Sequence, residues 1–145
     1  MQKLGLKIVL FVSVLFAVQA GFAKDLTHRL GVGFRDSTSV SIPSIAGVYY
    51  SQKDLAFTAS MGIDTQKNNS KFQGSFGARS VVFFENNLNC YIAGQVGVIN
   101  LETPTGGKNS GVELMGLGGV EFFFAGLENL GFTAEAGLAV ATIGD

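Results

Sequence analysis

Five charged residues, Arg29, Arg79, Glu113, Glu121 and Glu135, fall in phase with small and polar residues, on positions that alternate with apolar ones; Gln95 keeps the same phase. Guanidinium and carboxylate groups withdrawn from water together are expected to pair, because an isolated buried charge loses its hydration with nothing in return. The chemistry this predicts is structural: an ion-pair network that fixes strand register and seals an interior. A selective ion path or gate is the other use of the same groups. Catalysis is not expected. His28 is the only histidine, shares a face with Leu30, and has no nucleophile in a spacing that suggests a base–nucleophile pair. Gly116-Leu-Gly118-Gly119-Val-Glu121 is glycine-rich, but no Lys-Ser/Thr follows to hold a phosphate. Cys90 is the lone cysteine, so an intrachain disulfide or thiolate metal cluster is excluded. Its phase with Leu88 and Ile92 marks it as a small apolar residue. Asp36, Asp64 and Glu102 sit at separate loop ends without the spacing of a calcium loop. Asn68-Asn69-Ser70 is formally a glycosylation acceptor in a loop. No cofactor is expected.

The elements that must carry these groups are strands. Alternation of period two sends successive side chains to opposite faces, and it runs through Leu26–Arg35, Val40–Tyr50, Leu55–Asp64, Lys71–Phe84, Leu88–Leu101, Gly111–Phe124 and Leu130–Thr142. Leu30, Val32 and Phe34 oppose Arg29, Gly31, Gly33 and Arg35. Phe72, Phe76, Ala78 and Val82 oppose Gln73, Ser75, Gly77 and Arg79. Leu130, Phe132, Leu138 and Val140 oppose Gly131, Thr133, Glu135 and Gly137. One face is apolar and the other small, polar or charged, which suits a barrel wall with hydrocarbon outside and a narrow lumen inside.

Connection lengths alternate as well. Ser51–Asp54, Glu85–Asn87 and Ala125–Asn129 are tight, whereas Thr65–Ser70 and Glu102–Ser110 are longer and polar. Outer-membrane barrels have short periplasmic turns and longer extracellular loops. Asp36–Ser39 should be an outer loop but is short. Two further features resist the pattern. The sixth segment puts Met115, Leu117 and Phe123 on the same face as Glu113 and Glu121, and Val81, Phe83, Tyr91 and Ile99 add inward apolar groups. A strand apolar on both faces also fits a soluble sandwich core.

Lys3 and Lys7, the apolar run Ile8–Val18 and the small residues Ala20, Gly21 and Ala23 read as a signal peptide cleaved after Ala23 or Ala20. The run is shorter than the about 20 residues that span a bilayer as a helix. The domains expected are thus a signal peptide over residues 1–23 and a barrel over residues 24–145, exported to an outer membrane. Net charge is −1, from 10 basic and 11 acidic residues without a basic run, so nucleic acid is not an expected partner. Charged residues are 14% of the chain, low beside the about 25% of a soluble domain. Tyr49, Tyr50, Phe84, Phe122, Phe124 and Phe132 cluster at the turn ends of their segments and are expected to form an aromatic girdle.

The signal peptide and strand pattern resemble the small outer-membrane β-barrels of Gram-negative bacteria, the class of the OmpA transmembrane domain and OmpX-like proteins. Asp25-Leu-Thr-His-Arg-Leu-Gly-Val-Gly-Phe34 and Val48-Tyr49-Tyr50 are similar to uncharacterised predicted members of that class. The resemblance implies an all-β, antiparallel up-and-down transmembrane barrel of the eight-stranded type. It also implies outer-membrane lipid and the barrel-assembly machinery as partners, and an unidentified extracellular partner for the loops. Seven strands are visible, one fewer than the class requires, and the chain stops at Ile143-Gly144-Asp145 instead of an aromatic closing strand; either the chain is cut before that strand, the leading expectation, or one segment must be recounted. Three functions are open: a structural or surface-contact barrel with a plugged lumen, a narrow channel or apolar-solute conduit, and a soluble periplasmic β-sandwich that binds an apolar ligand.

Overall fold

A computed structural model describes residues 25–144 apart from residues 38, 68 and 104. The expected signal peptide, both its cleavage sites, and Asn68 of the glycosylation triplet lie outside the described residues. The chain forms seven strands: β1 (Leu30–Asp36), β2 (Pro43–Tyr50), β3 (Leu55–Asp64), β4 (Lys71–Glu85), β5 (Leu88–Glu102), β6 (Lys108–Phe124) and β7 (Leu127–Gly144). They make one sheet in sequence order, every neighbouring pair antiparallel. This is the all-β, up-and-down wall of a barrel, curled but open between β1 and β7 among the described residues. A sandwich needs a second sheet, and the described residues supply one sheet only, so the sandwich is set aside.

Phase in the sequence survives into the sheet. One register row runs Ala59–Phe76–Val96–Leu114–Val140 across β3 to β7 on the outer face. The last four of these side chains are 58%, 57%, 63% and 70% exposed. Leu138 and Phe34 reach 82% and 89%, so no second layer of the molecule covers them. The inner face carries the core: Tyr50, Ala56, Val81, Tyr91, Ile99, Met115, Leu117 and Phe123 are buried, beside buried Gln73, Arg79, Gln95, Glu113 and Glu121. The inward apolar groups of the sixth strand are therefore lumen filling, and a narrow curled sheet has room for both kinds of side chain.

The expected inward placement of Phe83 is corrected. The β4–β5 register shifts between Val81 and Phe83, and this irregularity leaves Val81 buried while Val82 and Phe83 are both exposed. A second shift separates Phe123 from Phe124.

Two strand starts are later than the alternation suggests. β1 begins at Leu30 because His28 has φ 60° and its N–H donates to the Tyr50 carbonyl, turning Leu26–Arg29 into a cap on the sheet end. β2 begins at Pro43 because Ser41 has φ 46° in a turn where Ser37 N–H donates to Ile42 O. The first connection thus covers residues 37–42 and is no longer the short exception. With 65–70 and 103–107 it forms the long set, against 51–54, 86–87 and 125–126 at the other end. The last tight turn is closed by Gly126 at φ 83°, a left-handed position that favours glycine.

Candidate functional site

The inner end of the lumen is built around Arg79. Its row pairs it with Ala56 on one side and Ala93 on the other, two small side chains that leave the guanidinium space. The guanidinium lies between two aromatic faces, 5.1 Å from the Tyr50 ring centroid and 4.6 Å from that of Tyr91. Arg79 Nη2 donates to Tyr50 Oη at 2.8 Å and to Glu121 Oε1 at 3.0 Å. Tyr50 Oη in turn donates to Glu121 Oε2. Both charged side chains are nearly sealed, at 5% and 8% exposure. A buried guanidinium is tolerated only when its charge and donors find partners, and this closed triangle of Arg79, Glu121 and Tyr50 supplies the countercharge and the two acceptors of Nη2. Arg79 Nε remains without one.

A second branch reaches the open edge. Tyr91 Oη donates to Glu135 Oε1 at 2.6 Å, and Arg35 Nη2 lies 3.4 Å from Glu135 Oε2. Arg35 belongs to β1 and Glu135 to β7, so the sheet curls far enough for its two outermost strands to join side chains across the lumen. Arg35 Nη1 also donates to Gln95 Oε1 at 3.3 Å. Glycine is what lets large side chains lie flat here: a Cβ on Gly119 would stand 2.5 Å from the Tyr91 ring.

Further toward the outer end lies a polar cluster. Gln73 Nε2 donates to Glu113 Oε1 at 2.6 Å, Ser60 and Ser75 share a 2.7 Å hydroxyl contact, and Ser75 Oγ donates to Gln95 Oε1 at 3.4 Å.

Of the charges expected inside, Arg79 and Glu121 meet, Glu135 meets Arg35, and Glu113 meets only Gln73. Arg29 is placed differently. It precedes β1, is exposed, and its carbonyl accepts from the Tyr50 N–H; Arg35, one strand length on, takes the inward cationic place. The girdle divides too. Tyr49, Phe122, Phe124 and Phe132 are exposed and Phe84 half-buried at the turn end. Phe122 and Phe124 meet edge-to-face at 5.4 Å, and Lys53 Nζ sits 5.1 Å over Phe84. Tyr50 leaves this girdle: it is 3% exposed and belongs to the lumen. The signal was in the alternation, since adjacent Tyr49 and Tyr50 cannot share a face. His28 Nδ1 sits 3.3 Å from Tyr49 Oη on the exposed side.

Comparison with known families, with curated proteins and with solved structures finds no match. The geometry therefore speaks alone: an aromatic–guanidinium–carboxylate cluster at one end, a half-satisfied amide–carboxylate cluster at the other, and an apolar exterior. No group of three His, Cys, Asp or Glu side chains arranged for a metal occurs among the described residues.

Proposed function

We propose that this chain is an outer-membrane β-barrel protein of structural or surface-contact role, with its lumen closed by the Arg79–Glu121–Tyr50 plug. The observation that carries the proposal is the outer face. Water penalises a contiguous sheet of exposed Phe, Val, Leu and Ile, whereas hydrocarbon requires it. Two further features support it. Long connections gather at one end and short ones at the other, as they do where only the outer side is free to elaborate. Most of the exposed aromatics, Phe34 and Phe76 excepted, collect at the short-turn end, where a headgroup interface would lie. In this setting residues 37–42, 65–70 and 103–107 would face outward and offer the contact surface, with outer-membrane lipid and the assembly machinery as the other partners.

Fractionation of expressing Gram-negative cells tests this directly, combined with gel mobility of heated and unheated samples. The protein should be recovered in the outer-membrane pellet and migrate differently after heating. Recovery in the periplasmic supernatant without detergent defeats the proposal. A narrow channel is the competing function, favoured by the unpaired polar groups around Glu113. Planar-bilayer recordings separate the two: the plug predicts no steady currents in the intact protein. Currents that vanish in Arg79→Ala or Glu121→Ala would make the network a conduit.

A further inference from the structure

We propose that the outer half of the lumen binds a monovalent metal cation of the sodium class, held by Glu113 and Gln73 with hydroxyl help from Ser75. Three observations converge on these residues, none of them needed for the plug.

The first is unmet bonding capacity. Gln73, Gln95 and Glu113 are 2%, 2% and 3% exposed. Each leaves one polar atom without a partner: Gln73 Oε1, Gln95 Nε2 and Glu113 Oε2. Two of the three are oxygens with lone pairs, attached to groups that already touch through the 2.6 Å Gln73–Glu113 bond. Buried acceptors without donors are costly, and an electrophile between them removes that cost.

The second is charge. Arg79 is committed to Glu121 at 3.0 Å and Arg35 to Glu135 at 3.4 Å. Glu113 has no Lys, Arg or His within ion-pair distance among the described residues, so the lumen holds one carboxylate more than it has guanidinium groups. Its Gln73 partner is neutral. A carboxylate buried this deeply needs a counter-charge.

The third is shape. Gly97 stands opposite Ser75 on β4 and opposite Glu113 on β6. A Cβ at Gly97 would come within 2.5 Å of Glu113 Oε1 and 2.8 Å of its Cγ. The carboxylate therefore lies in the notch that the glycine leaves, turned toward the strand that carries Ser75 and Gln73. Ser75 Oγ donates to Gln95 Oε1 and so accepts from Ser60 Oγ at 2.7 Å, which leaves one lone pair for an ion. A water accepting from Gln95 Nε2 would keep a second lone pair for the same ion.

The ligand set decides the ion class. All its atoms are oxygens, which selects hard cations over zinc or copper. A single carboxylate matches one positive charge, whereas calcium sites gather several charged or carbonyl ligands to reach six to eight oxygens. The inference requires a closed outer half of the lumen and not any particular membrane, so it can fail while the proposed localisation stands, and the reverse.

The test uses the full chain refolded in detergent micelles at neutral pH. Its unfolding midpoint is followed while sodium chloride replaces choline chloride at constant ionic strength. A bound ion stabilises the folded state by mass action, so the midpoint should rise saturably with sodium, accompanied by broadening of the sodium resonance. Glu113→Gln should weaken apparent sodium affinity by about tenfold or more, and Gly97→Ala should do the same by crowding the carboxylate. Glu85→Gln, which removes a carboxylate at the β4–β5 turn and outside the lumen network, should leave the sodium increment intact. If Glu113→Gln does not refold, Gln73→Leu provides the same comparison. Equal midpoints in sodium and choline overturn the proposal, as does an increment that survives in both Glu113→Gln and Gly97→Ala. A response to acid or to calcium with none to sodium overturns it too.

Discussion

At the scale of single residues, the Arg79–Glu121–Tyr50 triangle behaves as one unit because its members share atoms. Tyr50 Oη accepts from Arg79 and donates to Glu121, so the hydroxyl closes the ring. Tyr50→Phe strands a carboxylate oxygen and one guanidinium donor in a buried place and should cost about 1–3 kcal/mol in urea unfolding from micelles. Tyr49→Phe, on the exposed face, should change the midpoint little. Arg79→Ala leaves Glu121 charged with only the Tyr50 hydroxyl as partner, and a loss of about 3–5 kcal/mol is expected. The paired change Arg79→Met with Glu121→Leu replaces two charges by apolar groups of similar size. It should recover most of that loss, since the attraction of a buried pair is largely consumed by its desolvation. If the double variant is as unstable as Arg79→Ala, the pair is a net source of stability and not a register device. At the outer rim, Glu102 accepts a hydrogen bond from the Ser70 hydroxyl, joining two loop bases. That bond, with a backbone contact from Ser70, holds the Glu102 carboxyl below its ordinary value. A carboxyl depressed in the folded state contributes stability above its unfolded value and loses it as pH falls through the folded one. Loosening of the 65–70 loop, read by protease nicking, should therefore begin on the acid side.

At the scale of strands, most of the wall was legible because period-two alternation has no degrees of freedom to hide: once one residue faces out, every second residue follows. Phase alone puts Phe76 and Val140 outward, and both are exposed in one register row with Val96 and Leu114. What the sequence hid were local breaks in that phase. His28 and Ser41 take positive φ without being glycine, so the strand starts are not set by glycine; Arg29 falls outside β1 for this reason, whereas Arg35 keeps the inward phase that alternation gives it. The irregularity at Val81–Phe83 is similarly silent, as Val-Val-Phe-Phe fits either face. Tyr91 as a plug member was hidden because its partner Glu135 lies two strands away, a distance that curl sets and alternation does not. Glycines divide by the same geometry. Gly126 holds φ 83° in the β6–β7 turn, so Gly126→Val should cost about 1–3 kcal/mol. Gly116 and Gly118 have open space where a Cβ would go, and Gly116→Val should be neutral or stabilising in the same assay. Equal losses at Gly126 and Gly116 would mean that the outer face at Gly116 is covered.

For the whole molecule, the seven strands leave β1 and β7 running in the same direction, each with one edge unpaired among the described residues. A direct β1–β7 pairing would be parallel, whereas one additional antiparallel strand would satisfy both edges. Such a strand would set its neighbours about 9.5 Å apart; Arg35 of β1 and Glu135 of β7 already meet side chain to side chain. Unpaired edges cannot be left to lipid, so an edge strand of this wall exchanges its amide protons faster than β4 or β5 unless something covers it. The outer face carries the larger consequence, because its solvent is what the proposed function assumes. Leu114 lies near the middle of β6, 63% exposed, between Val96 and Val140 in register. Were water its surroundings, Leu114→Arg would place a charge at an already exposed site, at a cost within about 0.5 kcal/mol. In hydrocarbon the same guanidinium near the midplane costs about 2–4 kcal/mol, falling toward zero at the interfaces. A series along the outward row of β6 and β7 distinguishes the two, with Leu114→Arg and Leu138→Arg at depth and Phe124→Arg at the turn end. Unfolding from lipid vesicles should show a depth profile with its largest loss at Leu114 and little at Phe124. A flat profile would leave the exposed apolar face as a surface awaiting a protein partner, and the bilayer would no longer be its solvent.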